Sequence, residues 1–403
     1  MSCAFSITKG GDGMTANVLT GADQLSELSH PFLDGKRIGL VTNPTGITAD
    51  FRTTIEICAQ LKSSRLTALF AGEHGLYGER QAGVPFEDEM HPVLGIPVFS
   101  LYGKQKTPTP EMLEQVDTVI FDMQDAGVRF YTYLSTLFYI MDACGASGKS
   151  LLVLDRINPM GGMKVEGGIL QQGYESFVGA WHMPIRYGMT IGEIAMMRNK
   201  EEGSGCELDV VRLEGWRRSM TYAETGQPWM MPSPNIPSPE TAEVYAGTCL
   251  FEGTNVSEGR GTTRPFEWIG APWMEGERIA RQMEAHQLPG VHIHPVYAAP
   301  VYSKHQGVLC GGVRLFITDR DQFKAVETGL MLLHEIARSH PQHFEWTSPP
   351  PEGNRYFIDL LTGGKEIRER VRDEEGLRQI MANWHQDEEK WRERRASYLI
   401  YGS

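Results

Sequence analysis

The chain has 403 residues, 41% of them hydrophobic and 22% charged, which supplies core enough for one large or two ordinary domains and excludes a disordered chain. Lysine and arginine number 38 against 51 acidic residues, and the net charge of −13 opposes non-specific attraction to nucleic acid or an anionic membrane. A small anion held by a few local arginines is still compatible with that balance.

The six cysteines (Cys3, Cys58, Cys144, Cys206, Cys249, Cys310) are scattered, without the close spacing of a zinc knuckle or redox pair, and read as reduced core thiols. The N-terminus has no basic stretch followed by an apolar run and a cleavage site, and no apolar run approaches the roughly 20 residues of a membrane span. The expected location is therefore the cytoplasm. Met1 to Gly13 is polar and Gly-rich, so residues 1–16 read as a loose extension with Met14 as an alternative start.

From Lys36 onward short apolar runs alternate with helical patterns, as in a parallel α/β sheet. Arg37–Val41, Leu66–Phe70, Thr118–Phe121 and Leu151–Leu154 have the length and composition of strands buried on both faces. Between them Phe51–Lys62 and Tyr131–Ala146 carry helical spacing. The predicted class is α/β, with a Rossmann-like parallel sheet over residues 17–239. Pro228–Pro239, with five prolines, reads as a rigid connection. A smaller α/β unit over 240–403 follows, containing a Gly/Thr loop at Gly253–Phe266, a strand at Gly311–Thr318 and a helix at Gln322–His340. It closes with a charged amphipathic helix from about Lys365 to Arg395 whose alternating charges predict a solvated face.

Polar clusters follow the four strands: Thr42-Asn43-Pro44, Gly72-Glu73-His74-Gly75, Asp122-Met123-Gln124-Asp125 and Asp155-Arg156. Ligands in open α/β sheets bind beyond the carboxyl ends of the strands, so these clusters are expected to converge on one crevice. Nucleotide binding does not fit, because the first strand runs into Thr-Asn-Pro instead of a G-x-G-x-x-G turn, and Gly148-Lys149-Ser150 precedes a strand and lacks the earlier glycine of a P-loop. There is no G-x-S-x-G elbow. His292 and His294 would share one face of a strand, but no third metal ligand is apparent nearby.

A carboxyl at Glu73, flanked by glycines past a buried strand, can be desolvated enough to act as a general acid, or it can cap a helix or join a loop ion pair. Asp122, Gln124, Asp125 and Arg129, with Tyr131 and Tyr133, suit a sugar: rings stack on pyranose faces and arginine grips a carboxylate. The same acids beside an arginine are also what a structural ion pair looks like. Arg156 adds a cation at that edge, and Glu258, Arg260 and Arg264 sit in a loop that either binds an anion or is a flexible surface segment.

The segments Leu40–Gly46 (LVTNPTG), Phe70–Gly78 (FAGEHGLYG), Phe121–Tyr133 (FDMQDAGVRFYTY), Leu154–Gly161 (LDRINPMG) and Phe251–Phe266 (FEGTNVSEGRGTTRPF) resemble, in order, the signature blocks of the NamZ-type exo-β-N-acetylmuramidases. The resemblance implies a Rossmann-like catalytic domain and an auxiliary domain lending a Gly/Arg loop to the cleft. It further implies metal-independent hydrolysis without a cofactor, on fragments ending in non-reducing N-acetylmuramic acid (MurNAc). Glu73 becomes the leading acid/base. Asp125 is the second catalytic candidate, with Asp122 left to fix loop geometry, unless the substrate's acetamido group is the nucleophile. The expected binding set is Asn43, His74, Asp122, Gln124, Arg129, Tyr131, Tyr133, Asp155, Arg156, Glu258, Arg260 and Thr262. One arginine should read the lactyl carboxylate, Arg129 and Arg260 ahead of Arg156, which Asp155 could occupy. Many relatives are exported, so the absence of an export signal favours soluble muropeptides or MurNAc-GlcNAc over intact wall. The alternatives are a hydrolase or transferase for another acidic amino sugar and a non-catalytic muropeptide-binding protein.

Overall fold

The computed structural model describes residues 18–349 and 354–403; the expected loose extension at 1–16 lies outside them. One sheet is built from β1 (Arg37–Thr42), β2 (Arg65–Ala71), β3 (Glu89–Met90), β4 (Pro97–Ser100), β5 (Thr118–Asp122), β6 (Ser150–Leu154) and β7 (Glu207–Val211), in the order β3-β4-β2-β1-β5-β6-β7. Every pairing is parallel except that of β3 with β4. Setting the two-residue β3 aside, the order reverses between β1 and β5, as in doubly wound nucleotide-binding sheets.

The four apolar runs are β1, β2, β5 and β6, buried on both faces except at Thr67 and at the first residues of β1, β2 and β6. The helix expected over 51–62 is trimmed to Thr54–Gln60, because Thr53 and Glu56 form a capping box that sets its start. The helix Thr132–Ser147 ends at Gly148, whose φ of 61° is the left-handed cap that glycine adopts without penalty.

A second sheet, antiparallel in the order β8-β10-β9, comprises β8 (Trp268–Ala271), β9 (Val291–Pro295) and β10 (Gly311–Ile317). Helices Pro239–Thr248 and Ala325–Ser339 cross backbone to backbone beside it. A Cβ on Gly247 would run into the carbonyl oxygen of Ala325, and one on Gly329 into that of Gly247, so only glycine permits this approach.

The closing charged helix departs from expectation in being broken into Glu366–Arg370 and Glu374–Arg395, with the buried Val371 between them. As an amphipathic helix should, it leaves one face solvated and docks the other on the first unit. Trp391 is fully buried and its Nε1 donates to the Tyr187 carbonyl (2.9 Å), Arg395 donates to the Gly162 carbonyl (3.0 Å), and Glu388 accepts from Gly167 N–H (2.9 Å). Beyond it Tyr401 donates to Asp155 (2.5 Å). Among the described residues no helix is long and apolar enough to cross a membrane.

Candidate active site

A cleft of about 590 Å³ opens beyond the carboxyl ends of β2 and β4 and is closed on its far side by the second unit. Glu73, two residues past β2, is 8% exposed and held by both carboxylate oxygens. Gly83 N–H donates to Oε1 (3.0 Å) and the Thr132 hydroxyl to Oε2 (2.8 Å), so two separate segments aim it into the cleft. The Tyr102 phenol faces Glu73, and burial together with that carboxylate pushes its pKa up. His74 has φ 76°, a left-handed conformation that costs a non-glycine residue energy and recurs at functional sites. Its Nδ1 donates to the Arg80 carbonyl (2.8 Å), and burial lowers its pKa, so the ring is neutral with Nε2 a bare acceptor.

The other three strand-end clusters do not open into this cleft; they lock onto one another at the switch between β1 and β5. Arg156 forms a two-bond ion pair with Asp122 (2.6 and 2.9 Å) and donates to the Ile47 carbonyl (3.2 Å). Asp122, and not the adjacent Asp155, thus occupies Arg156. Gln124 donates to the carbonyls of Asp125 and Ile157, and its N–H donates to Thr45, whose hydroxyl in turn donates to Asn43 Oδ1. Asp155 accepts from Thr190, Gly192 N–H and Tyr401, tying the start of helix Ile191–Glu202 to the chain's end. Side chains fill the place where a nucleotide would sit.

Arg129, expected to grip a carboxylate, is 1% exposed and donates to three carbonyls: Gly168 (2.9 Å), Met183 (2.6 Å) and Leu361 (2.8 Å). Burial lowers its pKa to about 9, and among the described residues no acid pairs with it. Tyr133 is fully buried and donates to the Pro232 carbonyl. Tyr131, edge-on to it at 4.9 Å, does line the cleft. Thr262 turns the Gly/Arg loop by donating to the Gly259 carbonyl (2.7 Å).

Asp125 sits behind the cleft wall, with one oxygen accepting from Gly127 N–H (2.6 Å) and from Tyr187. Burial pushes its carboxyl up to about 6, against the pull of those two donors. The folded chain then holds this proton more tightly than the unfolded chain, where the group titrates near about 4. The stability so gained is complete below about pH 4 and is lost as pH rises through about 6. Asp125→Asn removes that titration, so its stability relative to wild type should improve between pH 4 and 7 in urea unfolding. A difference that stays constant across the range would refute this.

From the second unit come Glu252, Glu258, Arg260 and Lys304. Arg260 pairs with Glu252 (2.7 Å) and Glu258 (3.2 Å) and lies over the Phe266 ring at 5.1 Å. Lys304 donates to Glu258 (2.8 Å) and to the carbonyls of Phe251 and Val256. Burial and the neighbouring Glu258 raise the pKa of Glu252, and Arg260 opposes them. Ser233 and Ile236 of the proline-rich connection, Tyr245, Phe177 and Phe357 complete the walls. His292 and His294 lie elsewhere, on the exposed face of β9 with rings 6.0 Å apart.

Sequence reasoning missed Tyr102, Lys106, Glu252 and Lys304. The first two follow β4, whose four residues, beginning with Pro97, gave no apolar run; recognising it would have flagged its trailing loop by the same strand-end rule. Nothing in local sequence marks Lys304, which comes to the cleft from a loop far along the chain.

A carboxyl held at a strand end, facing an aromatic and ion-paired wall of disaccharide size, defines an α/β glycan-active enzyme of two parts. The family models "Exo-beta-N-acetylmuramidase NamZ, N-terminal" and "Exo-beta-N-acetylmuramidase NamZ, C-terminal" match residues 38–240 and 243–401. The chain belongs to that family. It is 43% identical over 384 residues to the peptidoglycan beta-N-acetylmuramidase NamZ of Bacillus subtilis (strain 168), covering 95% of this chain and 91% of that protein. Two crystal structures of DUF1343 family proteins from Bacteroides fragilis NCTC 9343 share the fold. One has a TM-score of 0.88 and 35% identity, covering 96% of this chain and 100% of the other; the second has 0.75 and 30%, covering 96% and 99%.

Proposed function

We propose that this chain is an exo-acting glycoside hydrolase that releases MurNAc from the non-reducing end of peptidoglycan fragments such as MurNAc-GlcNAc. The observation that carries the reading is the placement of Glu73, oriented by Gly83 and Thr132 at the edge of a cleft large enough for a disaccharide. In this reading Glu73 gives its proton to the glycosidic oxygen as the C1–O bond breaks. With Asp125 behind the wall, and Glu252 and Glu258 tied to Arg260 and Lys304, the substrate's own acetamido oxygen is the favoured nucleophile at C1. Water then opens the cyclic intermediate and returns its proton to Glu73. Asp125 serves as a positioning group that stiffens the turn leading to Tyr131.

Residues 17–239 form the catalytic unit in this proposal, and residues 240–403 form an auxiliary unit supplying the ion-paired wall. Cys58, Cys144, Cys206, Cys249 and Cys310 are buried free thiols, which supports a cytoplasmic enzyme acting on recovered soluble fragments. Incubation with MurNAc-GlcNAc, followed by mass spectrometry, should yield free MurNAc and GlcNAc. Intact disaccharide, bound or unbound, would overturn the assignment.

A further inference from the structure

The cleft holds three carboxylates, Glu73, Glu252 and Glu258, against three cations, Lys106, Arg260 and Lys304. Its neutral imidazole, His74, adds no charge. Two of the cations are already matched. All three ammonium hydrogens of Lys304 are used, on Glu258 and two carbonyls, and Arg260 is shared between Glu252 and Glu258. Lys106 differs: among the described residues no carboxylate pairs with it. Its Nζ stands 4.6 Å over the Phe177 ring, itself packed against Tyr102 at 5.8 Å and Tyr139 at 5.9 Å. A cation held by a ring face keeps its N–H donors for an acceptor on the opposite side.

We infer that Lys106 is the residue that reads the lactyl carboxylate, the group that distinguishes MurNAc from N-acetylglucosamine. The inference rests on the substrate class proposed above. The protein's net charge of −13 offers an anion no average attraction, so a local unmatched cation has to supply it. With Glu73 carrying the proton it donates in that reading, Glu252 and Glu258 are balanced by Arg260 and Lys304, and Lys106 is the one named charge left to meet an acidic substrate. Arg129 and Arg156 are committed elsewhere, to carbonyls and to Asp122.

The test compares calorimetric binding of free MurNAc and free GlcNAc, and kcat/KM on their paired aryl glycosides, in the full chain. Lys106→Met should reduce the preference for MurNAc by roughly 10- to 100-fold, the scale of a lost charge-assisted hydrogen bond, with the change in Kd and KM and not in kcat. Lys106→Arg should recover most of it. Lys104→Met, on the same loop but outside the cleft, should keep the wild-type preference and so control for bulk charge. The inference is overturned if Lys106→Met retains the preference, or if Lys104→Met erodes it equally. Preferential, Lys106-dependent MurNAc binding without turnover would uphold the inference while removing the hydrolase reading.

Discussion

Glu73→Gln should lower kcat on an unactivated MurNAc glycoside by about 10²- to 10⁴-fold, the usual cost of removing one general acid. The amide keeps the size of the side chain and the oxygen that accepts from Gly83 N–H, and the Thr132 hydroxyl can rotate to accept from the new NH₂. Fold and substrate affinity should therefore survive while proton donation is lost. The discriminating measurement is the contrast between leaving groups. An activated aryl glycoside needs little protonation and should lose far less than the natural disaccharide. Near-normal kcat of the variant on the disaccharide would sink the assignment, and an equal loss on both substrates would point to a misplaced cleft instead of a missing proton.

Asp122→Asn should do the reverse, destabilising the protein by about 3–5 kcal/mol with little change in kcat per folded molecule. Asp122 is fully buried and Arg156 nearly so, which leaves the guanidinium as an uncompensated charge at the centre of the sheet edge. The loss comes from stranding Arg156 and so exceeds the net worth of the ion pair. Urea unfolding monitored by circular dichroism gives the first quantity, and turnover well below the melting temperature gives the second. A variant of unchanged stability and depressed kcat would show that the carboxylate acts on substrate.

Local pattern alone did little to separate these two carboxylates, each lying at or just past the end of an apolar strand; it was the family resemblance that made Glu73 the leading acid and left Asp122 to fix loop geometry. The strands themselves were legible because burial on both faces leaves a continuous apolar run, as in β5 and β6. The strand-end rule pointed four polar clusters at one crevice; only Glu73 and His74 of those clusters line the cleft, where Tyr131 and, from the Gly/Thr loop, Glu258 and Arg260 join them. What local pattern cannot encode is which polar groups satisfy each other. Arg129 reads as a ligand for an anion until the carbonyls of Gly168, Met183 and Leu361, distant in the chain, are seen around it. Edge strands escaped for a related reason. β7 carries Glu207 and Asp209 on a half-exposed rim, so its apolar signal is diluted to Val210 and Val211.

The docking of the final helix has a consequence for how the molecule behaves as a whole. Its partners lie in the first unit: Gly162, Gly167, Tyr187 and, through the tail, Asp155, Glu193 and Leu213. The chain thus returns to its own first half after completing the second, and the boundary between the two family segments is not a place where it can be divided. Cutting there would strip a fully buried tryptophan from its seat and leave several interior polar groups of the first half without partners. The two parts are consequently expected to unfold as one cooperative unit.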